Sequence, residues 1–265
     1  MKTNWKSITL VSTILLASLG SATIVDAAKE QTIDGRADVQ FKAPETRPVD
    51  PSDPEDPDPE LIVPVDPEDP NPPVYPGGDL RLNHIPTISF GINDIAAAGA
   101  TYNAQFEKVI DKTIGGTVGK KKASFVEVAD ETGLIKGWQV TVSSNGVFKS
   151  AAGNEILGAI TLKSGSIRGL DGMDELKDKF PTANQNIVIG NGSNNASVEV
   201  MNAAAGKGMN KWQVRYGDSE LTTNPLGDDK TVRNPNVTLT VPKGQILLVD
   251  QKYTAKVVWS LAQGL

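Results

Sequence analysis

The 265-residue sequence contains no cysteine and only one histidine. Without cysteine the chain has no disulfide, no thiolate-bound zinc, no cysteine nucleophile and no lipid-modified thiol. A serine triad needs an imidazole with an orienting carboxylate, and a metal site usually needs more than one imidazole. His84 has no such neighbours in the sequence, so we expect it to be structural or at the surface. The chain is therefore predicted not to be an enzyme and to bind no cofactor or metal.

The clusters of charged and amide residues give no strong sign of chemistry either. Asp130-Glu131 and Asp174-Glu175 fall at predicted turns or helix ends, where a solvated role is favoured over a glycosidase pair. The Asn- and Gly-rich stretch 184–195 contains no Asp or Glu, so a loop is favoured over a calcium site, because calcium prefers carboxylates; a strand is predicted at its start, over 185–189. A run of three cations is a candidate contact for an anionic polymer, although a solvated loop is favoured; it comprises Lys120, Lys121 and Lys122.

Negative charge is concentrated in one tract of the chain. Residues 43–79 contain 11 Asp and Glu against a single Arg, whereas residues 80–265 contain 20 Lys and Arg against 17 Asp and Glu. The long C-terminal part is thus mildly basic although the chain as a whole has a net charge of −6. It lacks the dense basic face of a nucleic-acid-binding domain, so no nucleic acid is predicted as a partner.

The N-terminus is predicted to be a secretory signal peptide over residues 1–27. Lys2 and Lys6 precede an apolar stretch at 8–25, and Ala27 closes a small-residue cleavage site. A retained membrane helix is the alternative, but the stretch is short and no basic stop follows it. The sequence has no L-P-x-T-G motif and no hydrophobic tail after Leu261, so we expect the mature chain to have no transmembrane anchor.

The next two segments precede the main domain. In residues 28–42, Ala37, Val39 and Phe41 alternate with polar residues, which predicts a strand that packs on the main domain; a disordered terminus is the alternative. In residues 43–79, a Pro- and Asp-rich sequence beginning at Pro48 is followed by a shorter second copy from Pro64. Proline removes main-chain donors and like charges repel, so this segment is predicted to be disordered and solvated.

Residues 80–265 alternate between short strand patterns and Gly- or Asn-rich turns. Ser144-Asn145-Gly146 predicts a two-residue hairpin turn between the strand at 137–143 and the strand at 147–149. The one convincing helical pattern is a short helix at Met173–Phe180, ended by Pro181. Many short strands and one short helix predict an all-β domain, either an antiparallel sandwich or a barrel-like fold.

Three of the four tryptophans begin a W-x-V or W-x-L triplet, at Trp138, Trp212 and Trp259. Alternation places Trp138 on the apolar face of its strand, and it does the same for Trp259. Core positions are therefore favoured for these two, with an indole stacked on a sugar ring as the alternative. Trp212 precedes a polar loop at 218–220 and is the candidate exposed aromatic of the three.

The paired triplets carry a family resemblance. Trp138-Gln139-Val140, followed far downstream by Tyr253-x-x-x-Val257-x-Trp259-x-Leu261, resembles the motifs of the WxL domain of Gram-positive surface proteins. The stretch 80–91 is similar to the opening strand of that family, and 157–162 to its middle strand. The resemblance covers residues 28–265. This sequence departs from the usual pattern at Val140, where the family generally has leucine.

The resemblance implies a secreted protein retained at the bacterial wall surface. It implies non-covalent binding to peptidoglycan or an associated wall polymer, without catalysis, and other surface proteins of the same locus as partners. The motif that it associates with wall binding, which the alternation assigns to the fold, comprises Trp138, Val140, Tyr253, Trp259 and Leu261. The rival function is a protein–protein assembly subunit in which these motifs are purely structural. A carbohydrate-active enzyme is the third reading.

Overall fold

The structure is a computed structural model that describes residues 36–43, 49–56, 61–65, 75, 77–111, 118–190, 196–219 and 232–264. The predicted signal peptide lies outside these ranges. Within them, no helix has the length and hydropathy needed to cross a bilayer.

Short antiparallel strands build the described domain. In chain order they are β1 (Ile62–Val65), β2 (Leu80–His84), β3 (Ala100–Gln105), β4 (Glu107–Asp111), β5 (Val118–Lys122), β6 (Ser124–Asp130), β7 (Trp138–Ser143), β8 (Val147–Ser150), β9 (Glu155–Leu157), β10 (Ala159–Lys163), β11 (Gly165–Gly169), β12 (Thr182–Ala183), β13 (Asn186–Ile189), β14 (Val198–Ala203), β15 (Asn210–Tyr216), β16 (Arg233–Val241), β17 (Tyr253–Thr254) and β18 (Val258–Gln263).

These strands form several open sheets. Sheet I has the order β13-β10-β16-β3, sheet II β11-β15-β6-β2, sheet III β12-β14-β7-β18, sheet IV β17-β8-β9 and sheet V β1-β4-β5. The arrangement is sandwich-like, and none of the described sheets closes into a barrel. The all-β prediction is therefore confirmed, in its sandwich form.

The main core lies between sheets I to IV, each of which contributes buried apolar side chains to one cluster. Sheet II is buried on both faces, since every residue of β6 is buried. Val126 and Val128 face the main core, whereas Phe125 faces the other way and joins a second cluster with Ile62 and Val109. A second layer therefore covers the outer face of sheet II.

Sheet V supplies part of that layer. Only Phe106 separates β3 from β4, and only Ala123 separates β5 from β6, so the β4–β5 pair extends from strands of sheets I and II. β1 then pairs antiparallel with β4, with Ile62 opposite Asp111 and Val65 opposite Lys108. Because β1 comes from the acidic tract, part of that tract is built into the domain.

The prediction that residues 43–79 are disordered and solvated is wrong for residues 51–54 and 62, which are buried. Ser52 and Asp53 are buried, and Ser52 forms an isolated bridge with Leu61. The main-chain N–H of Ile62 donates to the carbonyl of Pro51 at 2.8 Å. Composition predicts disorder when a segment cannot bury enough apolar surface. Here the polar main chain is paired instead, so residues 49–56 and 61–65 are ordered without a large apolar area.

The N-terminal segment differs from its prediction in another way. Residues 36–43 have no regular secondary structure, and the side chains of Val39 and Phe41 are 77% and 87% exposed. The strand expected from their alternation is not formed there. A pairing of residues 28–42 with the main domain, like the domain boundaries drawn above, stays a prediction.

The Asn145-Gly146 turn does not close the predicted hairpin. β7 pairs with β14 and β18, whereas β8 pairs with β9 and β17, so the two strands separate into sheets III and IV. Gly146 has a φ of 69°, and a Cβ there would lie 2.1 Å from the carbonyl oxygen of Gly190. The chain passes so close to the loop at Gly190 that no side chain fits at position 146. The glycine is therefore required by this close main-chain contact and not by a hairpin turn.

The predicted helix at 173–180 is also different in the structure. Two single 3₁₀ turns replace it, at Met173–Glu175 and Lys177–Lys179, and Leu176 interrupts them with a φ of −96° and a ψ of 67°. The first turn follows Gly172 in the left-handed conformation and has no side-chain cap. An uncapped start and an early Pro181 leave too few residues for a stable α-helix.

Candidate functional site

The first tryptophan of the motif is buried in the main core. Trp138 is 1% exposed, and its Nε1 donates a hydrogen bond to the carbonyl of Gly208 at 2.9 Å. A Cβ on Gly208 would lie 2.7 Å from that same nitrogen, so the loop passes directly over the indole. The burial of Val140 and Val142 on the same face confirms the predicted alternation in β7. This indole has no surface left for a sugar.

The second motif lies on the neighbouring strand. β18 pairs antiparallel with β7, which places Trp259 opposite Val142 and Leu261 opposite Val140. The structure thus brings the two halves of the motif together, although more than a hundred residues separate them in sequence. From Gln251 to Ala262 the side chains alternate between half-buried and exposed, with Trp259 and Leu261 in the half-buried set. Both pack on the main core from the edge of sheet III.

Tyr253 reaches the same core by another route. It belongs to β17, pairs with Ser150 of β8 and is half-buried against the core. Its hydroxyl accepts a hydrogen bond from the main-chain N–H of Leu248 at 3.3 Å. The motif residues of the C-terminal stretch therefore support the fold, as their alternation predicts, while they remain closer to the surface than Trp138.

The prediction that Trp212 is the exposed aromatic is wrong. Trp212 is 0% exposed, and its Nε1 donates to the carbonyl of Met209 at 2.8 Å. The ring of Phe180 meets it edge-on, with 4.9 Å between the ring centroids. β15 is an inner strand of sheet II, and the parity of Trp212, which it shares with Val214 and Tyr216, points it into the core. The polar loop that follows does not alter that parity.

The lysine run is not the solvated loop that its charge favours. Lys120, Lys121 and Lys122 form the end of β5, where Lys121 is paired with Lys108 of β4. Lys120 and Lys121 are exposed, whereas Lys122 is only 7% exposed. The Nζ of Lys122 lies 2.8 Å from a carboxylate oxygen of Asp53 and 3.5 Å from one of Glu55. Its charge is thus directed at the acidic tract of the same chain.

The single histidine is buried and structural, which is one of the two roles expected from the sequence. His84 is 1% exposed, its Nε2 lies 2.9 Å from Glu107 Oε2, and its ring stacks on Phe125 with 4.0 Å between centroids. Burial raises the pKa of the Glu107 carboxyl above its ordinary range, and the contact with His84 opposes this in part. A histidine enclosed in this way has no access to a substrate.

Three of the four remaining carboxylate candidates have structural partners, whereas Glu175 is exposed, as predicted. Asp130 is 1% exposed and accepts hydrogen bonds from the N–H and hydroxyl of Thr132, so the prediction of a solvated role is wrong for it. Glu131 pairs with Arg81 at 2.6 Å. Asp174 is exposed and accepts from the N–H of Gly169 at 2.8 Å. In the described ranges, no group of three or more His, Cys, Asp or Glu is placed to hold a metal ion.

The outer face of sheet II holds a buried carboxylate that the sequence did not single out. Glu127 is 0% exposed, and its oxygens accept hydrogen bonds from Asn83 at 2.8 Å, from Gln213 at 2.6 Å and from the N–H of Ser52 at 2.9 Å. Burial raises the pKa of the Glu127 carboxyl, although these donors oppose the shift. The usable signal was a lone charge between the apolar Val126 and Val128 in a strand.

These two buried carboxylates predict a stability that depends on pH. Their raised native pKa values favour the protonated form in the folded state, so their contribution is present below the ordinary carboxyl pKa of 4.5 and is lost as the pH rises through the native values. The thermal midpoint of the double variant Glu107→Gln/Glu127→Gln is expected to fall less than that of the natural chain between about pH 5 and about pH 8.

A control variant separates this effect from general charge changes. Glu155 is an exposed carboxylate paired with Lys149, so Glu155→Gln is expected to retain the pH dependence of the natural chain. If the thermal midpoint of the double variant changed with pH as much as that of the natural chain, neither buried carboxylate would differ in pKa between the folded and unfolded states.

A cleft of about 340 Å³ is lined in part by Gln213, which donates to Glu127. Its walls include Glu55 of the acidic tract, together with Arg168, Gln213 and Arg215 from the outer face of sheet II. Arg168 donates to the carbonyls of Asp53 and Asp56. Burial lowers the pKa of the Arg168 guanidinium, and the nearby carboxylates partly offset this. The cleft is also lined by Asp174, so the outer face is a polar surface with charges of both signs on which an acidic segment is seated.

Comparison with known proteins gives one match. The family described as WxL domain, surface cell wall-binding, matches residues 28–264. No curated protein and no solved structure matches the chain. The matched range includes both motif strands, β7 and β18, and the acidic tract between the N-terminus and β2. The chain therefore belongs to the WxL family of surface cell wall-binding domains.

Proposed function

We propose that this chain is a non-catalytic module that binds peptidoglycan of the Gram-positive wall non-covalently. The observation that carries this proposal is its membership, over residues 28–264, of a surface cell wall-binding family. The enclosure of His84 and the structural partners of the candidate carboxylates support a role without catalysis. Retention at the wall after secretion follows from the same proposal.

The wall-contacting surface is assigned to the edge strand β18. Trp138 and Trp212 are buried, so Trp259 is the motif tryptophan nearest to the surface. Side chains of the opposite parity, including Lys256 and Ser260, are exposed on the same stretch. A half-buried indole at a sheet edge suits a sugar ring, because an aromatic ring gives apolar contact area together with an N–H donor.

The test is a sedimentation assay of the full mature chain with purified peptidoglycan. Trp259→Ala is expected to weaken binding about two- to tenfold, which corresponds to the loss of one aromatic contact. The matched control is Val258→Ala on the same strand, whose side chain is 40% exposed on the opposite parity and is expected to leave binding unchanged. Circular dichroism of both variants verifies that the fold is retained.

The composition of the wall preparation identifies the ligand. Binding that survives removal of the anionic wall polymers supports peptidoglycan. Binding that disappears with them assigns the contact to those polymers, with the exposed Lys120 and Lys121 as the first residues to replace. A chain that stays in the supernatant with both preparations contradicts the proposal.

A second candidate function is assembly with other surface proteins. An exposed apolar loop favours it: Ile246 and Val249 are 77% and 72% exposed, and Leu248 and Leu157 are also exposed. Exposed apolar residues in a contiguous patch are typical of interaction sites. Ile246→Ser/Val249→Ser is expected to abolish protein capture but not peptidoglycan binding, which separates the two functions.

A further inference from the structure

The acidic tract is held on the outer face of sheet II mainly through its main chain. The N–H of Ser52 donates to Glu127 at 2.9 Å, and the carbonyl of Ser52 accepts from Gln213 at 2.7 Å. Arg168 donates to the carbonyls of Asp53 and Asp56. Main-chain recognition fixes the path of a segment but sets few requirements on its side chains. We name this binding surface, formed by Lys122, Glu127, Arg168, Gln213 and Ser219, the outer groove.

Two carboxylates of the tract provide the side-chain contacts. Lys122 forms ion pairs with Asp53 and Glu55. Glu55 also accepts hydrogen bonds from the main-chain N–H groups of Ser219 at 2.7 Å and Ala123 at 3.1 Å. The outer groove therefore selects an extended segment with acidic side chains two positions apart.

The sequence contains this segment twice. Residues 51–57 read Pro-Ser-Asp-Pro-Glu-Asp-Pro, and residues 64–70 read Pro-Val-Asp-Pro-Glu-Asp-Pro. The seven positions differ only at Ser52, where the second copy has Val65. The hydrogen bonds from position 52 to Glu127 and Gln213 use its main chain, which valine also supplies. Val65 lies at the end of β1 opposite Lys108, so it must leave β4 before its main chain can make these bonds. Every side chain that the outer groove recognises in the first copy is thus repeated in the second.

We propose that the outer groove is a binding site for the motif Pro-x-Asp-Pro-Glu-Asp-Pro, and that the copy at residues 64–70 of a second molecule is its partner in trans. The first copy occupies the groove of its own chain and, being tethered, has the advantage of a high effective concentration. Copies of the chain that are crowded on one surface can exchange this segment once Pro64 and Val65 separate from β4, since both occupants then present the same contacts. The groove is then a self-association site for this protein.

One experiment asks whether the second-copy motif fits the outer groove. Ser52→Val converts the first copy into the sequence of the second within the full chain. It is expected to leave the thermal midpoint and the protease resistance of residues 49–56 unchanged. Asp53→Asn/Glu55→Gln is expected to make the same segment protease-sensitive. A Ser52→Val chain that is cleaved as readily as the double variant would overturn the proposal.

A second experiment asks for binding in trans. The Asp53→Asn/Glu55→Gln chain, with its first copy weakened, is titrated with a fluorescent synthetic peptide covering residues 63–72. It is expected to bind about tenfold or more tightly than a peptide in which each Asp and Glu is replaced by Asn and Gln, because charge-assisted bonds are lost. Lys122→Met in the same background is expected to remove that preference.

Self-association is measured on the same chains by sedimentation velocity. The Asp53→Asn/Glu55→Gln chain is expected to form concentration-dependent oligomers that disappear when Asp66→Asn/Glu68→Gln is added. Equal binding of both peptides, no binding of either, or oligomers that survive the second pair of substitutions would overturn the proposal. Equal binding of a polyphosphate probe and the acidic peptide would also overturn it, since the groove would then recognise charge alone.

If the Asp53→Asn/Glu55→Gln chain does not fold, binding of the 63–72 peptide to the outer groove is tested on the natural chain. Hydrogen exchange of residues 51–56 is expected to accelerate with an excess of the 63–72 peptide and not with its Asn/Gln counterpart. Unaltered exchange with both peptides would contradict the proposal.

Discussion

Trp138→Ala is expected to destabilise the domain by about 3–5 kcal/mol, the range for removing a large aromatic side chain from a core. Trp138 is 1% exposed, packs beneath the loop at Gly208 and donates its indole N–H to that carbonyl. The truncation leaves a cavity and also an unpaired carbonyl. Urea unfolding followed by circular dichroism measures the loss of free energy, which is a large part of the roughly 5–15 kcal/mol that stabilises an ordinary domain.

Trp259→Ala is the matched control for that variant. It removes the same side chain from the neighbouring strand, but Trp259 is half-buried at a sheet edge, so the loss of stability is expected to be clearly smaller. Similar losses for the two variants would show that the edge position does not lessen the contribution of the second tryptophan to the core.

Gly146→Ala is expected to cost about 3 kcal/mol or more, because it combines a left-handed backbone with a steric collision. The φ of Gly146 is 69°, and a Cβ would lie 2.1 Å from the carbonyl oxygen of Gly190 and 2.7 Å from its carbonyl carbon. Both contacts are with main chain, which cannot rotate away as a flexible side chain would. The loop carrying Gly190 would have to move, and the same loop approaches the carbonyl of Gly158.

Gly133→Ala isolates the backbone part of that cost. Its φ is 68°, nearly that of Gly146, but a Cβ there would have no neighbour within 4 Å. We expect a loss of only about 1 kcal/mol for Gly133→Ala in the same urea titration. If both variants lost the same free energy, the close crossing at Gly190 would be without energetic consequence.

The sequence predicts side-chain facing wherever one strand alternates strictly. The stretch 251–260 and the strand β7 both follow the expected parity, because a pleated strand turns successive side chains to opposite faces. The error at Trp212 arose from giving weight to the loop that follows instead of to the same parity rule. Facing depends on the strand alone, so it can be predicted without knowing the partners.

Partners were harder to predict because they depend on residues far away in sequence. The Asn145-Gly146 turn has the local features of a hairpin, yet its two strands pair with β14, β18, β9 and β17. The acidic tract has the composition of a disordered segment, yet its main chain is bound by Gln213, which is 161 positions away from Ser52. The local conformational preferences of a segment do not depend on such distant contacts and so cannot predict them.

In the candidate site, too, side-chain facing could be predicted from the sequence, whereas partners distant in sequence could not. The pairing of the two W-x-V and W-x-L strands gives the family motif a physical basis, since Leu261 lies opposite Val140. The buried Lys122 could not be distinguished in sequence from its exposed neighbours Lys120 and Lys121. What separates them is the position of Asp53 and Glu55, which the domain itself fixes.

The pairing of β18 with β7 also constrains the order in which the domain can fold. β7 is an inner strand of sheet III only when β18 is in place, and β3 likewise pairs with β16, where Ala100 lies opposite Val241. Such distant pairings make folding slow, because long loops must close before the contacts form. A chain still lacking its C-terminal strand would leave one edge of β7 open to other chains. Folding is therefore expected to finish in one late step, after residue 263 has been synthesised.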